Sequence, residues 1–319
     1  MDTLADVLGS VRLSSGAFLD ARLTAPWCIL SQVGPEDCLP LGRVPAHIVA
    51  YHYVATGGLS IQVAEHAPLE VRAGELLLLP RNDRHVLASA PGLRPVVIDH
   101  LIQVPAGHGP ALLHHGGGGA LTQIVCGFLG CEVAQSPLLA ALPPLLKLDA
   151  SEGLAGIWIA TSFAHAAAEF AAHGAAAAPL LGKLAELLFA EAIRRYLATL
   201  PAAQTGWLAG LRDRLVGPAL ALLHAQPAHP WTTEALAGRV GLSRSAFAER
   251  FTTLIGMPPM RYLAQWRLQL AAARLRESNR SMAQLAYEVG YQSEASFARA
   301  FKQAFGTSPG AWRNRRAGA

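Results

Sequence analysis

Leu236-Ala237-Gly238-Arg239-Val240-Gly241-Leu242-Ser243-Arg244-Ser245-Ala246-Phe247-Ala248-Glu249-Arg250-Phe251 is matched later in the chain by Leu285-Ala286-Tyr287-Glu288-Val289-Gly290-Tyr291-Gln292-Ser293-Glu294-Ala295-Ser296-Phe297-Ala298-Arg299-Ala300-Phe301. Leu-Ala, Val-Gly, Ser and Phe-x-x-x-Phe recur in the same order, a repeat of about 50 residues. Each copy reads as a helix, a glycine turn and a second helix. Gly241 and Gly290 suit a turn that needs positive φ. Ser243 and Ser293 are placed to cap the second helix. Phe247/Phe251 and Phe297/Phe301 are i,i+4 pairs that stack on one helical face and point to a core.

Outward from the repeat, everything after Leu208 reads as helix. The expected helices cover about 211–225, 233–240, 244–255, 259–276, 281–288, 294–305 and a short piece near 309–315, with Gly and Pro at the breaks. At 1.5 Å per residue the helix between the repeats is roughly 27 Å long. One turn of DNA is roughly 34 Å. A rigid helix of that length places two recognition helices in successive major grooves on one face of a duplex.

Charge agrees with that reading. From Trp231 to Ala319 there are thirteen Arg/Lys and five Asp/Glu, net +8, so residues 1–230 carry net −4 within the overall +4. A basic rear module is the electrostatic footprint of a polyanion binder. All twelve His and all four Cys lie before residue 231, so any metal, redox or ligand chemistry belongs to the front.

Residues ~211–316 resemble the DNA-binding domain of the AraC/XylS family of transcription regulators. Leu236-Ala237, Gly241-Leu242-Ser243, Phe247, Phe251, Gly256, Pro259, Tyr262-Leu263, Arg267, Ala271, Leu275, Ala286, Val289-Gly290-Tyr291, Ser293, Phe297, Phe301-Lys302, Phe305-Gly306, Ser308-Pro309 and Trp312-Arg313 carry the likeness. The resemblance implies two helix-turn-helix subdomains joined by a helix. It places base reading on Ser245, Ala248 and Glu249 in the first recognition helix, and on Glu294, Ala295 and Arg299 in the second. Arg299 has the fork that fits guanine, and the glutamates are acceptors for cytosine N4. Arg244 and Lys302 are assigned to phosphates.

Ahead of this module, residues 27–126 form short Val/Ile/Leu-rich runs at 27–33, 48–54, 59–64, 75–79, 96–104 and 121–126, separated by Gly/Pro turns. Such a pattern indicates a sandwich or small barrel. The four-glycine run Gly116–Gly119 reads as a loop, because no helix start and no Lys follow it to hold a phosphate. Gly74-x5-Pro80-x-Asn82-x2-His85 resembles the second cupin motif, and Tyr51-His52-Tyr53-Val54 falls where the first places paired histidines. Val54 stands in for the second histidine, and no glutamate follows at the usual spacing. His52 and His85 remain, with Cys126 as a soft third ligand, and such a mixed set suits zinc. His47 lies five residues from His52, which puts it on the opposite side of an ideal strand. The domain also resembles that of a regulator of the reactive chlorine response, including the Cys126-Gly127 pair. That makes Cys126 and Cys131 redox candidates, provided the thiols are exposed and of low pKa.

Between the two domains, Ala/Leu-rich helices are expected over about 152–173 and 179–200, with Leu180, Leu184, Leu187, Leu188 and Leu197 on one broad face. Such a face must be covered, by packing within the chain or by a second copy, and the expectation taken forward is that it contributes to a homodimer. The longest uncharged helical stretch, 153–168, is short of the ~20 apolar residues that span a bilayer. Met1-Asp2 opens no signal peptide.

The expected architecture is α+β: a cupin-like β-barrel sensor domain (1–135), a helical linker and dimerisation segment (136–205), and an all-α double helix-turn-helix (206–319). The function this implies is a cytoplasmic, dimeric DNA-binding transcription regulator, partnered by double-stranded DNA and, if an activator, by RNA polymerase. Its cupin domain senses a small molecule, metal or oxidant. The alternative is a cupin metalloenzyme fused to a DNA-binding domain, against which the incomplete metal motif argues.

Overall fold

Alternation of apolar and polar residues folds the front of the chain into strands. They are β1 (Leu13–Ser15), β2 (Leu19–Thr24), β3 (Cys28–Ser31), β4 (His47–Thr56), β5 (Gly58–Val63), β6 (Leu69–Arg72), β7 (Glu75–Leu79), β8 (His85–Ala88), β9 (Val96–Val97), β10 (Ala111–Gly116), β11 (Leu121–Cys131) and β12 (Leu146–Asp149). The computed structural model describes residues 4, 7–8, 13–15, 19–35, 37–38, 44–103, 111–133, 136–149, 157–158, 161–162, 164–166, 168–169, 178–201, 205–277 and 280–314. Most of the helix expected over 152–173 lies outside these residues.

One sheet runs β10-β2-β11-β4-β7-β12, with β1 added to β11; the other runs β6-β5-β8-β3-β9. Leu23, Ala50, Val54, Leu77, Leu113 and Ile124 of the first sheet pack with Ile29, Leu59, Ile61, Val71 and Leu87 of the second in one core. Each fully buried Val, Leu or Ile side chain among them contributes ~1.5–3 kcal/mol. The expected barrel is thus two sheets face to face rather than a closed cylinder. β11 is longer than expected, pairing with β2 along one edge and β4 along the other. The run expected over 96–104 keeps only two strand residues, then turns through a 3-10 helix at Asp99–Leu101.

The helices are α1 (Pro137–Ala141), α2 (Ala178–Thr199), α3 (Trp207–Arg212), α4 (Val216–Ala225), α5 (Thr233–Arg239), α6 (Arg244–Ile255), α7 (Pro259–Glu277), α8 (Met282–Glu288), α9 (Glu294–Phe305) and α10 (Pro309–Asn314). The single helix expected over 211–225 is broken at Asp213, whose carboxylate accepts from the N–H groups of Leu215 and Val216 and so starts α4. Two compact units result: Leu13–Cys131 with Leu142–Tyr196, and Leu197–Ala319 with Met1–Arg12 and Glu132–Ala141. The expected linker segment is therefore shared between the units. Among the described residues no helix is long and apolar enough to cross a membrane.

Candidate nucleic-acid interface and effector site

The two helix-turn-helix units are built as their residues dictate. Ser243 accepts from the Ala246 N–H to cap α6, and Ser293 accepts from the Ser296 N–H to cap α9. Both turn glycines are left-handed, Gly241 at φ 73° and Gly290 at φ 91°. Phe247, Phe251, Phe297 and Phe301 are fully buried. With one face of each recognition helix held inward, the other is presented. Arg244, Ser245 and Glu249 are exposed on α6 and Ala248 is half-buried; Glu294, Ala295, Arg299 and Lys302 are exposed on α9. The eight residues expected to contact DNA thus divide evenly between two solvent-facing helix faces.

Three supports of these helices escaped sequence reasoning. The first is an ion pair: Arg250 of α6 donates through Nε and Nη2 to Asp213, at 3.1 and 2.5 Å. One carboxylate therefore caps α4 and fixes the azimuth of the first recognition helix. The arginine raises no sequence signal, because it looks like another solvent-facing charge beside Glu249.

Arg267 of α7 provides the second. Its Nε donates to the Pro227 carbonyl at 2.7 Å and its Nη2 to the His229 carbonyl at 2.9 Å. Gly290 sits against this clamp, since a Cβ there would lie 2.8 Å from the Arg267 guanidinium and 2.9 Å from the Ala228 backbone. The loop before α5, the joining helix and the turn of the second unit are locked at one point. Arg267→Ala should cost about 1.5–3 kcal/mol, the range for charge-assisted hydrogen bonds, on denaturant unfolding of the full chain. Arg267→Lys should recover little, because an ammonium lacks the fork that spans two carbonyls.

The third is a buried polar cluster. Trp207 Nε1–H donates to Tyr262 Oη at 2.7 Å. Tyr262 Oη lies 2.6 Å from His224 Nε2, and the His224 ring stacks on Trp266 at 4.2 Å between centroids. With Oη accepting from Trp207, its proton is directed to a bare Nε2, so His224 is neutral. Burial pushes the His224 imidazole down to about 3.

The front unit gathers His52, His85 and Cys126 in its core. His52 lies between the core residues Ala50 and Val54 on β4, Cys126 is opposite it on β11, and both histidines are buried. His52 Nε2 is 2.7 Å from His85 Nε2, and His52 Nδ1 is 3.0 Å from Cys126 Sγ. His85 Nδ1 faces the Asp83 carbonyl at 2.8 Å. A carbonyl only accepts, so His85 carries its proton on Nδ1 and its Nε2 is bare. His52 then donates from Nε2 and accepts the Cys126 S–H on Nδ1. All three groups are neutral in this chain. Burial holds His52 well below the usual imidazole range, with His85 adding to the effect. Burial also lowers His85. The Cys126 thiol is pushed well above its usual range by burial, then by the Asp20 carboxylate.

The three groups meet in a line, not around one point: Cys126 and His85 approach opposite nitrogens of the same ring. Among the described residues no group of three or more His, Cys, Asp or Glu is disposed to hold a metal ion. His47 points away, its Nε2 2.5 Å from the Pro80 carbonyl. Cys131, five residues along β11 from Cys126, is on the opposite face of the strand and is buried.

Comparison with known proteins agrees with both halves. The family model described as Cupin matches residues 2–198, and the one described as Helix-turn-helix domain matches residues 236–315. A Streptomyces lividans protein named an AraC-like transcription regulator is 33% identical over 98% of each chain. The HTH-type transcriptional regulator AlkR of Acinetobacter baylyi is 27% identical over 97% of this chain and 98% of its own. The RCS-specific HTH-type transcriptional activator RclR of Escherichia coli is 27% identical over 90% of this chain and 91% of its own.

Proposed function

The chain belongs to the AraC family of transcription regulators, a cupin domain followed by a DNA-binding helix-turn-helix domain, and from that premise we propose that it is a cytoplasmic homodimer whose DNA affinity is set by an effector sensed in the cupin domain. The observation that carries this reading is the pair of capped recognition helices, each with a buried Phe pair and an exposed row of polar residues. α6 reads bases through Ser245, Ala248 and Glu249, and α9 through Glu294, Ala295 and Arg299. Arg244 and Lys302 hold phosphates. Leu180 and Leu187 are exposed seven residues apart on α2, which supports that helix as the dimer contact. As an activator the protein would also touch RNA polymerase.

Among effector classes, a small molecule is best supported. An ion such as zinc would need the His52 ring to turn before His52, His85 and Cys126 could share it. An oxidant would meet a thiol that burial keeps protonated, with Cys131 on the far side of the strand.

The test is DNA binding by the full chain on a selected operator. Affinity should fall steeply with salt, as counterions are released from phosphates. Arg299→Ala should cost about 1–3 kcal/mol at one base position and relax specificity there. Lys302→Ala should weaken all sequences alike and reduce the salt slope. Salt-independent binding, or an Arg299→Ala loss uniform across sequences, would refute these assignments.

A further inference from the structure

A cleft of about 800 Å³ opens on the front unit at the end of the five-stranded sheet. Leu30, Gln62 and Val86 line it from the outer face of that sheet, because they alternate with the core residues Ile29, Ile61 and Leu87. Ala64 and Pro144 extend the apolar floor, and the rim carries Arg81, Arg84 and His66, with Asp83 as the one carboxylate among the lining residues. Arg81 lies 3.6 Å from Asp83, while Arg84 has no carboxylate partner among the described residues. The size is that of an ordinary small-molecule site.

The charge of this rim runs against its surroundings. Residues 1–230 carry net −4, yet here two guanidiniums and an imidazole meet a single acid. A guanidinium freed from its own carboxylate is a fork that fits the oxygens of a carboxylate or phosphate. An apolar floor beneath such a rim selects a molecule with one anionic end and one apolar body. His85 also lines the cleft, but two residues from the core residue Leu87 its ring is turned through the sheet to His52. The cleft and the His52–His85–Cys126 chain therefore lie on opposite faces of one short strand, β8.

We propose that this cleft is the effector site of the cupin domain and that it takes a small organic anion, a carboxylate or phosphate on an apolar body, held by Arg84 and Arg81. This rests on the reading of the front unit as a sensor and names the chemistry it senses.

Calorimetric titration of the full chain with hexanoate and hexyl phosphate, against hexylamine and 1-hexanol, tests it. At least one anion should bind about tenfold or more tightly than the amine and the alcohol, which is about 1.4 kcal/mol. Arg84→Gln and Arg81→Gln, both at exposed positions, should each weaken the anion severalfold or more and together abolish its binding. Arg22→Gln, on the seven-stranded sheet, should leave it unchanged. Equal binding of all four probes, no binding of either anion at millimolar concentration, or anion binding untouched by the double substitution would overturn the proposal. Gel-shift titration of the same preparations separates the two readings. Intact DNA binding beside absent anion binding removes only the cleft, whereas lost DNA binding by a folded chain removes the regulator.

Discussion

Replacing Phe301 by Ala is expected to destabilise the second helix-turn-helix by about 3–5 kcal/mol, the range for truncating a buried aromatic, and to remove most DNA binding with it. The ring is fully buried and has ring neighbours on three sides: Phe297 at 5.6 Å, Phe305 at 4.5 Å and Trp312 at 5.8 Å between centroids. Leu268, Leu275, Leu285 and Val289 close the same core across α7 and α8. That core sets the angle at which α9 presents Arg299 and Lys302. Losing it unfixes the exposed face of α9 without touching any residue proposed to contact DNA. Guanidinium unfolding of the full chain, followed through tryptophan fluorescence, measures the cost. Phe301→Leu, which keeps most of the volume, should lose much less and retain binding. Equal losses for Ala and Leu would show that packing volume is not what holds α9.

A second large effect is expected from acid. His224 is buried with its ring on Trp266 and its Nε2 taken by Tyr262, and its imidazole is pushed down to about 3. The unfolded chain protonates this residue near its ordinary value of ~6.5. Above that pH neither state holds the proton, and the full stability is present. Below it the unfolded state gains a proton that the folded state refuses. Stability therefore falls by about 1.4 kcal/mol for each pH unit, down toward the folded value. Comparison of the full chain with its His224→Gln variant, unfolded in denaturant at pH 7.5, 6 and 5, isolates this contribution from the other histidines. The variant should be weaker at pH 7.5, since glutamine stacks less well on Trp266, and should lose less on going to pH 5. Parallel losses in the two chains would place the acid sensitivity elsewhere, with His52 and His85 next in line, since burial lowers both.

The helix-turn-helix pair, its caps, its turn glycines and the inward Phe pairs were legible in the sequence because each rests on residues within one or two helical turns of one another. Period, cap and breaker are local quantities, and local quantities can be read without coordinates. So too could the exposed row that includes Arg299 and Lys302, as the complement of the buried face. Legibility weakened where partners are distant in sequence. The β-rich front was recognised from alternation and cupin-like motifs, but five short strands were not: β8 and β10 have no alternation of their own, and β2, β6 and β12 alternate over too few residues to stand out before neighbours pair with them.

The rest was decided only by tertiary structure. His52 and His85 are 33 residues apart and His52 and Cys126 are 74 apart, so their order along a line depends on the registers of three strands in two sheets. Nothing local in the sequence fixes those registers. Arg250 raises no signal in the sequence, and Arg267 stands there only as one of the residues that carry the family likeness; the part each plays appears once the fold brings Asp213 and the 227–229 carbonyls to them. Composition set the sign of each half of the chain, and local periodicity set its helices. Long-range packing alone chose which charges face solvent and which are consumed in holding the recognition helices still, because ion-pair and hydrogen-bond geometry exists only once distant segments meet.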